Sequence, residues 1–194
     1  KFNNEMSRKY KFKNDCGVYF ISTSIVYWID VFTRRLYKDK LVESLEFCCK
    51  NKGLIIYAYV IMSNHIHMLI GKEEETKTGF SEIIRDFKKY TAMQIIKLIS
   101  ENPLESRKEW MLWMFKRAGK KNGNNTNYQF WQQHNQPIEL TENLLDQKMD
   151  YIHNNPVEAG WVNEPHEYYY SSARNYANLD SPLRIVSVFD GSYI

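Results

Sequence analysis

Two histidines flanking one apolar residue, His65-Ile66-His67, and a tyrosine four positions before an asparagine, Tyr151 and Asn155, are the groups here whose types and spacing could do chemistry. On a β-strand successive side chains alternate, so His65 and His67 point to one face and Ile66 to the other. Two imidazoles about 7 Å apart along a strand can tilt toward one divalent ion. The same three residues taken alone also suit exposed or hydrogen-bonded histidines. On a helical wheel of about 100° per residue, Leu145, Met149 and Ile152 form the core side, while Lys148, Tyr151 and Asn155 share a neighbouring stripe. A phenol and an amide oxygen one turn apart can thus face one site. His153 falls on nearly the opposite side and is set aside as a ligand. Most of the 14 tyrosines are expected to be packing residues.

The elements that must position these groups can be read in order. Val18–Ser24 reads as a strand, and Arg35–Lys50 as a helix closed by Gly53. Leu54–Met62 is a near-continuous apolar run, a strand buried on both faces. Ser63-Asn64 makes a tight turn, with Asn64 suited to left-handed backbone, and His65–Ile70 is the returning strand. Ser81–Ser100 carries a helical apolar stripe with Arg85, Lys88 and Lys89 on another side. Residues 101–127 read as a basic, flexible insertion: six Lys or Arg and one acid fall between Arg107 and Asn127, and Lys116, Arg117, Lys120 and Lys121 are expected on a mobile loop that could touch phosphates, a stretch that taken alone equally suits a solvated surface loop. Tyr128–Leu140 reads as a strand or extended segment. A last helix starts with Thr141 as N-cap, Leu140 and Leu145 forming a staple, and ends close to Pro156. Residues 165–194 are a C-terminal extension. The order implies one α+β domain over 1–194, a ferredoxin-like antiparallel sheet with helices packed on it.

Composition narrows the class. The chain of 194 residues is 43% apolar with a net charge of +3, which suits a folded domain and excludes disorder. Cys16, Cys48 and Cys49 make neither a disulfide framework nor a metal spacing, so a reducing cytoplasm is expected. There is no long apolar run to span a membrane and no signal-type start; the first residue is Lys, so the natural start is expected upstream.

Several runs together resemble a known family. Ala58-Tyr59-Val60-Ile61-Met62-Ser63-Asn64-His65-Ile66-His67-Met68-Leu69 resembles the signature of the REP-associated tyrosine transposases, a branch of the single-tyrosine HUH transposases. Tyr151-Ile152-His153-Asn154-Asn155-Pro156-Val157-Glu158-Ala159-Gly160-Trp161-Val162 looks like that family's nucleophile helix and following turn. Pro165 and Tyr170-Ser171-Ser172-Ala173 look like its C-terminal signature, with Tyr170 where Trp is usual; Phe87-Lys88-Lys89-Tyr90 and Phe130-Trp131-Gln132 match in character and order. The resemblance spans roughly Val18 to Tyr176. It implies Tyr151 as nucleophile and His65, His67 and Asn155 as metal ligands, with Tyr90 ranked below Tyr151. It implies strand cleavage and joining of single-stranded or hairpin DNA, a cytoplasmic protein associated with the nucleoid when bound, working as a monomer or homodimer.

The chemistry of such a site follows from its residue types. A free phenol, with a pKa of about 10, is a poor nucleophile at neutral pH. A cation on mixed nitrogen and oxygen ligands can polarise a phosphate; Mg²⁺ or Mn²⁺ suits that set, and Zn²⁺ would also bind. Attack by Tyr151 would leave a 5′-phosphotyrosine and a free 3′-OH. Arg85, Lys88, Lys89 and the 116–121 cations would contact backbone, and Trp131, Tyr168 and Tyr169 could stack on bases or pack in the core. No general base stands out. The rivals are a non-catalytic single-stranded nucleic-acid-binding module, whose task needs neither His-x-His nor Tyr-x-x-x-Asn, and a zinc hydrolase, for which no carboxylate base is evident beside the histidines.

Overall fold

A computed structural model describes residues 12–121, 127–133 and 137–194. Its sheet has four strands, β1 (Tyr19–Ser24), β2 (Leu54–Ile61), β3 (His65–Lys72) and β4 (Ile138–Glu139), in the order β2-β3-β1-β4. Every pairing is antiparallel. Helices α1 (Arg35–Lys52), α2 (Phe80–Glu101), α3 (Lys108–Lys120), α4 (Glu142–Glu158) and α5 (Ala173–Tyr176) complete it. The expected α+β, ferredoxin-like arrangement is what forms.

The strands bury both faces, and alternation divides their side chains between two cores. Tyr19 and Ile21 of β1 and Ile66, Met68 and Ile70 of β3 join the larger core, under Leu41 and Leu45 of α1 and Ile83, Ile84 and Phe87 of α2. Phe20 and Leu69 face the other way, onto Met149 and Ile152 of α4. Burial of such side chains contributes about 2 kcal/mol each, which is what holds α4 against the sheet.

Several local expectations are replaced. The segment read as a mobile basic loop is helical over Lys108–Lys120, because Met111, Phe115 and Ala118 recur on one face and pack into the larger core. Gly119 lets this helix approach the returning chain: a β-carbon there would lie 2.8 Å from the Asn127 carbonyl oxygen. Residues 122–126 of the segment lie outside those described, as do 134–136 of the expected extended stretch, where β4 is only two residues long. Thr141 precedes α4 without a side-chain cap. Asn64 is not left-handed; that backbone occurs instead at Tyr27 and Trp28. Helix α4 does end close to Pro156, at Glu158, with the buried Pro156 still inside its last turn. A helical proline costs about 3 kcal/mol, offset by the apolar face of α4. The chain turns away at Gly160, with Gly160 N–H donating to Val157 O and Trp161 N–H to Pro156 O, a left-handed stop suited to glycine.

The C-terminal stretch lies along the outer edge of β2, where Ser172 N–H donates to Tyr59 O and Val186 N–H to Ile56 O. Among the described residues no helix is long and apolar enough to cross a membrane. Cys16, Cys48 and Cys49 are free, and burial pushes the Cys48 thiol up to about 11.

The chain entering α3 is tied down by Glu105, whose side chain is 1% exposed. Its carboxylate accepts from Arg34 at 2.9 Å and Arg107 at 3.2 Å, and Tyr37 donates to it at 3.3 Å. Burial pushes this carboxyl up, but the two guanidiniums outweigh it and hold it below the usual carboxylate range. Its contribution is therefore present above the unfolded value of about 4.3 and lost as pH falls through the lower folded value. Glu105→Gln should cost about 2 kcal/mol at neutral pH, at the low end because both arginines are partly solvated. Urea midpoints measured from pH 7 down to 3 should show the variant's deficit shrinking in acid; equal midpoints at pH 7 would refute the clamp.

Candidate active site

His65 and His67 occupy the face of β3 that looks toward α4, opposite Ser24 and Ser22 of β1 in the strand register. Their ring centroids are 4.7 Å apart, closer than the strand rise alone would place them, because both rings lean together. Phe20, next but one along β1 from Ser22, stacks on His67 at 5.5 Å and meets the Tyr151 ring edge-on at 5.9 Å. It is the apolar spacer between strand and helix.

Helix α4 supplies the other two groups. With Met149 and Ile152 buried against the sheet, the helical turn brings Tyr151 and Asn155 to the histidines. The Tyr151 hydroxyl lies 3.4 Å from His67 Nε2, a long hydrogen bond. The Asn155 side chain comes within reach of the His65 ring. His67, Asn155 and His65 are buried or half-buried, whereas Tyr151 is 39% exposed and so reachable from solvent. His153 points elsewhere, to Ser172 Oγ at 2.9 Å, and burial pushes its imidazole down to about 4. The four groups singled out from the sequence thus meet within one chain.

A hydrogen-bonded chain sets the His65 tautomer. The Asn64 amide nitrogen donates to Asp30 Oδ1 at 2.9 Å and to Trp28 O at 3.3 Å. Its oxygen must then accept, and it lies 2.7 Å from His65 Nδ1. The proton therefore sits on Nδ1, and the Nε2 lone pair is left for the site. Ser63 Oγ also donates to Asp30, at 2.5 Å.

The electrostatics keep both rings neutral. Burial lowers His65, partly opposed by the Asn155 side chain and the charge of Asp30. Burial, His65 and Lys148 together push His67 down to about 3. Lys148 Nζ lies 4.9 Å from the centroid of the Phe20 ring and 5.5 Å from that of Tyr151. A fixed cation beside the phenol favours an anionic occupant.

A divalent cation here would have to take its protein donors from these residues. Among the described residues no cluster of three or more His, Cys, Asp or Glu could hold a metal. The set is instead two neutral imidazoles and a carboxamide oxygen, and His67 Nδ1 is a buried nitrogen with no hydrogen-bond partner. Two neutral imidazoles and a carboxamide leave coordination positions open, which fits a cation that also binds phosphate oxygens.

Other expected contacts lie apart. Arg85, Lys88 and Lys89 are on α2, which covers the opposite face of the sheet from the histidines. Arg85 is paired with Glu82 and Asp86, and Lys88 donates to Gln132 O at 2.6 Å, its burial pushing the ammonium down to about 8. Lys89, Lys116, Arg117, Lys120 and Lys121 are exposed. Trp131 is core, its indole donating to Thr91 Oγ1 at 3.0 Å, and Tyr168 is held by Ile61 O. Tyr90 is exposed, but on α2 and away from the histidines.

Sequence reasoning passed over Asp30, Asn64 and Lys148 as site residues. Lys148 had a signal, being on the Tyr151 stripe one turn earlier. Asp30 had none, because its role depends on how the loop after β1 folds over the β2–β3 turn.

Comparisons with known proteins bear on the fold and the family. The chain is similar to a solved REP-associated tyrosine transposase bound to a REP hairpin, at 18% identity over 95% of this chain and 96% of the other, with a TM-score of 0.61. It is also similar to a candidate transposase of Deinococcus radiodurans R1, at 16% identity over 75% of this chain and 92% of the other, with a TM-score of 0.41. No curated protein matches the sequence. The family model described as IS200-like transposase matches residues 18–115, a stretch that holds both histidines and ends before Tyr151. Carrying that match over half its length, on the fold just described, the chain belongs to the IS200-like transposase family, and its enzyme is a transposase.

Proposed function

We propose that this transposase cuts and rejoins single-stranded DNA by transesterification at Tyr151. The observation that carries the reading is the approach of the Tyr151 hydroxyl to within 3.4 Å of His67 Nε2, next to His65 and Asn155. The phenol oxygen forms a bond to phosphorus as the bond from phosphorus to the 3′ oxygen breaks. The departing 3′ oxygen takes up a proton from solvent, and the phenol proton leaves to solvent. The product is a 5′-phosphotyrosine, whose retained phosphodiester bond lets a second 3′-OH reverse the step without ATP.

His65, His67 and Asn155 would hold Mg²⁺ or Mn²⁺, which when bound supplies Lewis-acid polarisation of the phosphate. Within the chain, Asn64 keeps the His65 lone pair aimed inward, and Phe20 holds His67 and Tyr151 at a fixed separation. Lys148 offers its charge to the phosphate, where a preorganised cation stabilises the charge that develops. The approach of Tyr151 to His67 within one chain supports a monomer with the tyrosine acting in cis.

The structurally similar REP-associated transposase binds a REP hairpin, and a hairpin with a single-stranded flank is the substrate proposed here. Lys89, with Lys97 and Tyr128, lines an open groove beside α2. This groove and the exposed 116–121 cations would serve the stem backbone, away from the reacting phosphate. The ion pairs of Arg85 and the partial burial of Lys88 make them lesser contributors. A binding module without catalysis would leave the convergence of Tyr151 on the histidines without a purpose.

A denaturing gel after incubation with a DNA hairpin and Mn²⁺ should show a covalent adduct. Tyr151→Phe should remove the adduct while leaving DNA binding within about twofold; an adduct formed by that variant would reject the nucleophile. Lys148→Met should slow adduct formation by about 10²-fold with affinity little changed, and an unaltered rate would remove its role. Asn64→Ala should weaken Mn²⁺ binding in titration calorimetry by about 10-fold or more. Unchanged affinity there would mean that the amide does not orient His65.

A further inference from the structure

The loop leaving β1 turns an aromatic side chain outward beside the histidines, in a backbone conformation that a β-carbon disfavours. Tyr27 and Trp28 have φ of 57° and 55°, and neither is glycine. Their neighbours Ile25, Val26 and Ile29 are buried in the larger core. Trp28 is 58% exposed, so packing does not account for it.

Backbone bonds hold the segment in place. Ile25 N–H donates to Asn64 O and Val26 N–H to Phe130 O, both at 2.8 Å, and Trp28 N–H donates to Ile25 O at 3.1 Å. The Trp28 carbonyl accepts from the Asn64 amide that orients His65. The Trp28 ring stands 6.0 Å from the His65 ring at an interplanar angle of 72°, and much of the indole remains open to solvent. Strain held in place beside a site, with a rigid aromatic surface as its result, points to a function outside folding.

We propose that Trp28 is a stacking platform for one unpaired nucleobase of the DNA strand next to the phosphate that Tyr151 attacks, a reading that rests on the function proposed above. A base has an apolar face on either side, and an exposed indole gives it a partner without selecting its hydrogen-bonding edge. Fixing that base fixes the register of the strand, and so which phosphate reaches the phenol. Trp28 is in this sense a positioning residue, and its contribution lies in substrate binding.

The test uses the full chain with Tyr151→Phe, in EDTA, so that neither adduct nor metal affects the reading. Affinity is measured for a DNA hairpin with a single-stranded flank in which an abasic site is moved one nucleotide at a time. Adding Trp28→Ala should weaken binding of the intact flank about tenfold. One abasic position should weaken the parent protein equally and leave Trp28→Ala unaffected, and Trp28→Phe should recover most of the loss. A purely structural role would lower affinity at every position alike, without that coupling. Equal affinity of Trp28→Ala and its parent, or losses that add at every position, would overturn the stacking role. If the parent binds no hairpin at all, both proposals fall. If adducts form on the unsubstituted enzyme but no coupling appears, only the platform is lost.

Discussion

The approach of one helix to one strand controls the chemistry of this chain. Strand β3 alternates Ile66, Met68 and Ile70 into one core with His65, His67 and Leu69 on the other side. Helix α4 then closes over that second side through Met149 and Ile152. The same apolar contact that stabilises the layer sets the separation of Tyr151 from His67. Fold stability and catalytic geometry therefore cannot be varied independently here: a smaller residue at Ile152 would loosen both.

Burial does a second task at the same place. Removing the imidazoles from water disfavours their charged forms, so both remain neutral with lone pairs available. The nearby charges act in opposite senses: Lys148 reinforces this at His67, whereas Asp30 opposes it at His65, where burial still prevails. Lys148 stands on the side of the phenol and Phe20, while Asp30 acts on His65 through the Asn64 amide and does not enter the site. The result is a pair of neutral imidazoles with an ammonium close by, which is what the proposed phosphate and cation would need. A carboxylate placed directly on His65 would instead favour the protonated ring.

The parts that looked peripheral are tied to this centre. Glu105 joins Arg34, Arg107 and Tyr37, and Arg107 also donates to Asp30 O and Thr33 Oγ1, so the entry to α3 is fastened to the loop beside the histidines. That explains why a stretch rich in charge is ordered as a helix. Its inward residues reach the core, and its first turn is held by a buried carboxylate that two guanidiniums neutralise.

Local pattern carried much of this protein. Periodicity located β1, β2, β3, α1, α2 and α4; alternation and helical spacing put His65 with His67 and Tyr151 with Asn155 on shared faces and set His153 aside, while the family resemblance supplied their expected roles. Local pattern misled where long-range packing overrode it. Charge and Gly/Asn content in the sequence of 116–125 hid the core-facing Met111 and Phe115. Pro156 did mark the end of α4 to within two residues, though the proline itself stays helical because the apolar face of α4 is satisfied across the sheet. Spacing within a segment determines which side chains share a face, since the backbone repeat is built into every residue. Which faces then meet, and that Asp30 and Trp28 join them, was decided only by tertiary structure, because those contacts link positions far apart in the chain.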